Sequence, residues 1–599
     1  MRVYFDIETN GLTDWTKHTD LETVHCMVVI DEDNNVYRYQ NDTMNKGLEQ
    51  LKNADEIVGH NSINFDYMAL YKLYDFVHPR VIDTMIMSRC IYPDIATNDA
   101  QAGRDRSVMG SHSLKAWGMR LGDHKGDFGQ STDWSQWSQE MEDYCVQDVR
   151  LTKKLYEYLM SKKPSQQMLD LEHNFAKQMK LQERNGFPFD MEKAKKLDQE
   201  LGMRRAELKE KLEATFEPNV ITMKSRWYEN SNGDKFPTKK AMLESGYKPE
   251  DIREGDFKTK TIPFNPGSRD QIAQRLLDRG WKPDAYEGKR PQINEGVLKS
   301  INTPEADLLL EYLMVSKRLG QLSEGKQAWQ DLARLDDDHY RIHGSIITNG
   351  TVSGRCSHRK PNVAQVPAVR APYGSECREL FTAPKGKVLV GCDASGLELR
   401  CLAHYMYPWD RGAYAKEILE GDIHSANQKS AGLETRDQAK TFIYAFLYGA
   451  GDAKIGSIVN GSSTDGKRLK KQFFARTPAI KKFLDAVGVA VETKGSLTGL
   501  DGRKLPARSA HSAPNLLLQS AGAVIMKQAL VEFTKVANHS TYQMHANVHD
   551  EVQFSCDAKD ADTLGSQFVQ AIKDAGKTLK FNCPLDGEYK IGQNWKETH

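Results

Sequence analysis

The 599-residue sequence predicts a multidomain chain of the α/β (α+β) class. Three observations carry that expectation. Length alone points to about four domains, at roughly 150 residues each. Apolar alternation of period two and helical runs of period near 3.6 are interleaved along the chain. Turn-rich stretches punctuate them, above all 217–266, which holds Pro218, Asn230, Asn232-Gly233-Asp234, Pro237, Gly246, Pro249, Pro263 and Pro266.

Composition bounds the function. Hydrophobic residues make up 39% and charged residues 27%, so wholesale disorder is excluded. Lys+Arg and Asp+Glu are 82 each. That balance excludes a highly basic nucleic-acid coat or an acidic tail protein, but not a localised basic groove. The nine Cys include no Cys-x-x-Cys, which argues against a zinc ribbon or a disulfide framework and for a reducing compartment. No run of about 18 apolar residues predicts a membrane span, and the amino end lacks the apolar core of a signal peptide.

Taken in order, residues 1–160 mix strands and helices, and about 165–215 is helical and charged. The stretch 217–266 is an insertion; helical signal returns near 268–280 and from 304 to 333. Residues 340–400 predict strands and structured loops, with Val388–Cys392 a buried strand. Residues 410–495 are mostly helical, and Asp501-Gly502 is a hairpin turn. Residues 514–538 predict a long helix, and Asn547–Phe554 a tight hairpin with charge at its tip. Gly461–Arg468 imitates a phosphate-binding loop but ends in Arg and follows no apolar strand, so that reading is set aside. The basic run Lys467–Gln472 reads as a solvated helix face or as a contact to template phosphates.

Two constellations of acids stand out. In Arg2–Glu8, Val3, Phe5 and Ile7 face one way while Asp6 and Glu8 face the other. Adjacent anions are costly unless a cation joins them, and oxygen ligands suit hard Mg²⁺ or Mn²⁺. A strand end with two solvated acids explains this pair equally well when it is taken alone. Asp66, after an apolar Ile57-Val58 strand, and Asp148, four residues beyond Tyr144 on one helix face, extend the set to four carboxylates. Four suffice to hold two metals for in-line attack on a phosphodiester, with Tyr144 orienting the attacking water.

The second constellation is dispersed. Asp393 ends the Val388–Cys392 strand, and Asp550 sits at the tip of the 548–554 hairpin. Paired in one sheet, those strands would bring both acids together; singly, each is an ordinary turn residue. Between them, Thr435 and Gln438 form a capping-box signature. The helix they open carries Arg436, Lys440, Tyr444 and Tyr448, each four apart, on one broad face. Cations and rings there suit an anionic triphosphate and a stacked base.

These residues resemble two families. Asp6, Glu8, Asp66, Tyr144 and Asp148, over 1–150, resemble the DEDD 3′→5′ exonucleases that use Tyr. Asp393–Arg400, Arg436–Gly449 and Val548–Glu551 resemble motifs A, B and C of the family A (Pol I-type) DNA polymerases. Thr351–Arg355 with Pro361–Pro367 resembles their template-primer loop, and the match runs from about 340 to the end. Gly421–His424, Arg436–Tyr444 and Leu517–Ala523 are most similar to the replicative branch of T-odd bacteriophages.

The resemblance implies an RNase H-like exonuclease domain over 1–164 followed by a right hand. The thumb is expected at 165–340 with the insertion at about 217–266, the palm at 341–410 and 496–599, and the fingers at 411–495. It implies DNA-templated extension of a primer by deoxynucleoside triphosphates, with proofreading, in bacteriophage replication within the bacterial host cytoplasm. Two Mg²⁺ per site are expected, with Mn²⁺ as an alternative. Asp393 and Asp550, aided by the Ala394 carbonyl, would hold the polymerase pair, with Glu551 a further catalytic acid; Asp6, Glu8, Asp66 and Asp148 would hold the exonuclease pair. His424, Arg436 and Lys440 would hold the triphosphate, and Tyr444 would stack beside the sugar and base. Glu398 would crowd the sugar 2′ position, while Arg355, Gln519 and His549 would touch the minor-groove edge of the primer terminus. The phage relatives grip a host thioredoxin through a longer thumb insertion. The shorter, differently composed one here leaves a thioredoxin-like processivity factor, another factor or none as alternatives. A replicative helicase-primase is a further implied partner, and no membrane is. A nuclease-dominant repair enzyme, an RNA-templated or RNA-making enzyme and a non-catalytic scaffold are the rival readings.

Overall fold

The strand Arg2–Thr9 (β1) forms the middle of a mixed five-stranded sheet in the computed structural model, which describes residues 1–11, 21–123, 133–336 and 339–599. Its neighbours are Val24–Asp31 (β2), Val36–Gln40 (β3), Glu56–Gly59 (β4) and Val81–Asp83 (β5), in the order β3-β2-β1-β4-β5. The β1–β2 and β2–β3 pairs are antiparallel; β1–β4 and β4–β5 are parallel. Val3, Phe5 and Ile7 are buried as their alternation predicts, and Tyr4 is buried too. The reason is the helix Gln139–Met160, opened by Ser138, whose hydroxyl accepts from the Met141 N–H at 3.1 Å. It covers the opposite face of β1, and Tyr156 meets Tyr4 edge-on at 5.7 Å.

A second sheet has four strands, ordered Tyr542–Val548, Glu551–Cys556, Val388–Ala394 and Gly587–Gly592, all antiparallel. Helices Ala513–Val536 and Ala561–Thr578 share its core, where Phe533, Phe554, Phe568 and Tyr542 form a ring cluster with centroids 5.0–5.6 Å apart. Ala513–Val536 is long and apolar enough to cross a membrane, yet 72% of its apolar window is buried inside the protein. Here that apolarity serves a core helix. Residues 397–494 are helical, and Phe442, Phe446 and Phe473 pack the cap-opened helix Arg436–Leu447 against Ser463–Arg476. All nine cysteines are reduced, and only Cys356 is not buried.

The chain divides into two compact units, 1–190 with 332–599, and 191–331. The second unit is narrower than the thumb span expected at 165–340: helix Gln166–Asn185 and strand His339–Ile342 pack within the first. Leu212, Phe216, Phe264, Ile272, Leu298 and Leu309 form the core of the second unit. Its turn-rich stretch holds a three-stranded sheet, ordered Lys235–Phe236, Asn219–Glu229 and Arg253–Ile262, with most side chains in solvent.

Candidate active sites

The first site lies on β1. Ligand atoms of Asp6, Glu8 and Cys145 all fall within 4.8 Å of one another. Asp66 opens the helix Asp66–Tyr74 and accepts the Ile7 N–H at 3.2 Å, which draws it to the same strand. Burial pushes the Asp66 carboxyl up to about 7, against the opposing pull of hydrogen bonds from backbone N–H groups and Asp6. Asp148 is buried and Tyr144 half-buried on the helix that covers β1. Cys145 was not among the expected residues. Its signal was present, since it lies three residues before Asp148 and so on the same helix face. Asp83, also unexpected, accepts from the N–H groups of Asn61, Ile63 and Met85 at 2.8, 3.1 and 2.9 Å, and so fixes the loop leading to Asp66.

The second site is built by pairing. Asp393 stands opposite Glu551 in the antiparallel register, and the Ala394 N–H donates to the Asp550 carbonyl at 3.0 Å. His549 in the connecting turn has a φ of +59°, in the left-handed region that tight hairpins require and non-glycine residues seldom enter. That turn lifts Asp550 to the hairpin tip. Arg355, Leu397, Glu398, Gly522, His549 and Asp550 line one cleft. Burial, then the charges of Asp550, Glu551, Glu588 and Glu398, push Asp393 up to about 8. Burial and then Glu398 push Asp550 up to about 6, opposed by Arg355. Acids crowded enough to retain protons near neutrality form a donor set that fits hard divalent cations.

Glu551, expected with the catalytic acids, is engaged elsewhere. It accepts from Trp595 Nε1 and from Gln553 Nε2 at 2.7 Å, and pairs with His599 at 2.9 Å and Arg378 at 3.6 Å. These partners hold its carboxyl below the usual range despite burial. Asp550 lies in the connecting turn whereas Glu551 opens the following strand, so the two neighbours have different surroundings. Glu588, unforeseen, stands opposite Asp393 on the other neighbouring strand.

The Thr435–Gln438 capping box is present, and the polar face of its helix is formed by exposed Arg436, Lys440 and Tyr448 with half-buried Tyr444. Arg436 pairs with Asp422 at 2.8 Å, and the Tyr448 hydroxyl donates to Glu398 at 3.2 Å. His424 lies 6.4 Å from Tyr444, ring to ring, and its buried Nδ1 has no hydrogen-bond partner among the described residues. Burial and the nearby Arg436 and Lys440 lower its pKa. Gln519 is half-buried, its amide donating to Asn515 at 3.0 Å.

A fold with two acid-bearing strands paired beneath a cationic, ring-lined helix defines a nucleotidyl-transfer scaffold, and the comparisons with known proteins agree. A family model described as DNA polymerase family A matches residues 240–597. The DNA-directed DNA polymerases of Enterobacteria phage T3 and Escherichia phage T7 are each 37% identical to this chain, over 99% of it and 99% of theirs. A solved structure, the POL domain of Pol1 from M. smegmatis in complex with DNA primer-template and dNTP, has TM-score 0.74 and 15% identity, covering 99% of this chain and 96% of that one. The chain belongs to DNA polymerase family A. Its activity is DNA-directed DNA synthesis, and enzymes of this family use divalent metal ions, generally Mg²⁺.

Proposed function

We propose that the chain replicates a bacteriophage genome in the host cytoplasm, extending a primer at the Asp393–Asp550 site and trimming 3′ ends at the β1 site. The observation that carries the reading is the existence of two separate carboxylate clusters in one chain, one holding Asp66, raised by burial, and the other Asp393 and Asp550, raised by burial and neighbouring anions. In this reading Asp393, Asp550 and the Ala394 carbonyl hold a pair of Mg²⁺. When bound, the ions supply Lewis acidity that activates the primer 3′-hydroxyl and steadies the departing pyrophosphate. Glu551 acts as a positioning residue through Trp595 and Arg378 rather than as a ligand.

Arg436 and Lys440 offset charge developing on the triphosphate. His424, held neutral chiefly by burial and then by its cationic neighbours, adds a polar group beside the same phosphates. For Arg436 the triphosphate competes with Asp422, an exposed partner worth little. Tyr444 stacks beside the incoming base. Glu398, fixed by Tyr448, stands where a ribose 2′-hydroxyl would sit. Arg355, His549 and Gln519 read the minor-groove edge, where correct pairs present similar acceptors. At the first site Asp6, Glu8, Asp66 and Asp148 hold a second metal pair, and Tyr144 orients the water. The sheet at 219–262 is the place for a processivity factor, and a helicase-primase is the natural replisome partner.

The two-site reading is tested by primer extension and 3′ trimming with two variants. Asp393→Ala abolishes extension and leaves trimming intact, and Asp6→Ala does the reverse. Loss of both activities in either variant sinks it. Deletion of 219–262 followed by pull-down tests the processivity factor.

A further inference from the structure

Behind the polymerase cleft lie four charged side chains that the chemistry above leaves unused. Glu172, Asp501, Arg503 and Lys527 are each at most 4% exposed. They come from helix Gln166–Asn185, from the turn joining Ser496–Thr498 to Lys504–Pro506, and from helix Ala513–Val536. Lys527 Nζ donates to both Glu172 carboxylate oxygens at 2.8 Å and to the carbonyls of Thr348 and Gly354, also at 2.8 Å. Arg503 reaches Glu172 at 2.5 Å and Asp501 at 2.6 and 2.9 Å. The Asn349 amide donates to Glu172 at 2.8 Å. Burial alone would raise the Glu172 carboxyl; Lys527 and Arg503 hold it below the ordinary range.

A buried ion cluster is weak ground for stability, because well-packed apolar residues often serve as well. What apolar residues cannot do is grip a backbone carbonyl. The gripped carbonyl of Gly354 shares a planar peptide unit with the Arg355 N–H, so Lys527 fixes the plane from which Arg355 departs. Gly354 has a φ of +79°, and a Cβ there would lie 1.9 Å from Arg503 Nη1, so the turn is pressed onto the cluster. Arg355 then enters the cleft of Glu398, His549 and Asp550, where it lowers the Asp550 pKa.

We propose that the Glu172–Arg503–Lys527 cluster is the frame that aims Arg355 at the primer terminus, which makes Lys527 a positioning residue for telling a paired 3′ end from a mispaired one. The inference rests on the reading of Arg355 as a contact to the terminal base pair. A mispaired end already forfeits that contact. Loss of aim therefore penalises matched primers selectively.

The test is the ratio of kcat/KM for extending matched over mispaired primers, in an Asp6→Ala background so that trimming does not blur it. Arg355→Ala lowers the ratio about tenfold, the worth of one hydrogen bond to a charged donor. Lys527→Met lowers it by a similar factor, and adds nothing once Arg355→Ala is present, because both remove one interaction. Glu172→Gln/Lys527→Met, which keeps the charge balance, behaves alike and carries the test if Lys527→Met does not fold, as judged by its melting temperature. An unchanged ratio in folded Lys527 variants, or a loss that multiplies with that of Arg355→Ala, overturns the proposal while leaving Arg355 in its role. An unchanged ratio in Arg355→Ala overturns both.

Discussion

At the scale of single residues, the polymerase acids are defined by what crowds them. Asp393 and Asp550 retain protons up to about 8 and about 6 because burial and neighbouring anions disfavour their charged forms. A raised carboxylate pKa means that protons compete with metal below that pKa and stop competing above it. The Mg²⁺ needed for half-maximal extension should therefore rise as pH falls from 8 to 6, by up to about tenfold per pH unit for each proton displaced. Titrations at three pH values check this, and a pH-independent requirement counts against it. Glu398 makes a second residue-level prediction. Its bond from Tyr448 fixes it beside the nucleotide, so Glu398→Ala should increase ribonucleotide incorporation at least severalfold; an unaltered ratio removes its gate role.

At the scale of elements, local signals were the legible ones. The Thr435–Gln438 box opens its helix as its spacing predicts, and the period-two pattern of Arg2–Glu8 gives a strand. The hairpin at 548–551 was likewise readable from apolar flanks and a polar tip. Thr435→Ala should cost about 1 kcal/mol in helix stability. Because that helix carries Arg436 and Lys440, the variant should also raise the KM for nucleotide while sparing trimming of single-stranded DNA. What the sequence concealed was long-range pairing. Arg503 and Lys527 meet Glu172 across 331 and 355 positions, and no periodicity encodes such a meeting. Glu551 was legible only as part of a motif, and its bond from Trp595, 44 positions away, lies beyond any local pattern. Helix Gln166–Asn185 read simply as helical and charged, with nothing to say that its buried face joins the larger unit.

At the scale of the whole molecule, buried ionisable groups make folding depend on pH. His545 is enclosed between the Gly186 carbonyl at 2.6 Å and the Ser555 hydroxyl at 2.7 Å, and burial lowers its pKa to about 3. Since the folded value lies below the unfolded one, its contribution is complete above about pH 6.5 and is lost progressively as pH falls toward 3. Glu172, also lowered, acts with the same sign, its contribution present above the ordinary Glu value and lost as pH falls through the folded one. His545 by itself tilts stability downward as pH falls from 6.5 to 4, by at most roughly 4 kcal/mol, while the raised carboxyls of Asp66, Asp393 and Asp550 act with the opposite sign. His545→Gln should flatten that slope, and a calorimetric series across the range checks it.

The cysteine distribution carries a practical consequence. Eight of the nine thiols are sealed in the interior and none is bridged to another. Burial raises even Cys356 to about 11, which leaves little nucleophilic thiolate at neutral pH. An alkylating reagent should therefore react sluggishly with the native enzyme and stoichiometrically once the interior opens. Thiol modification becomes an intrinsic clock for unfolding that needs no engineered label.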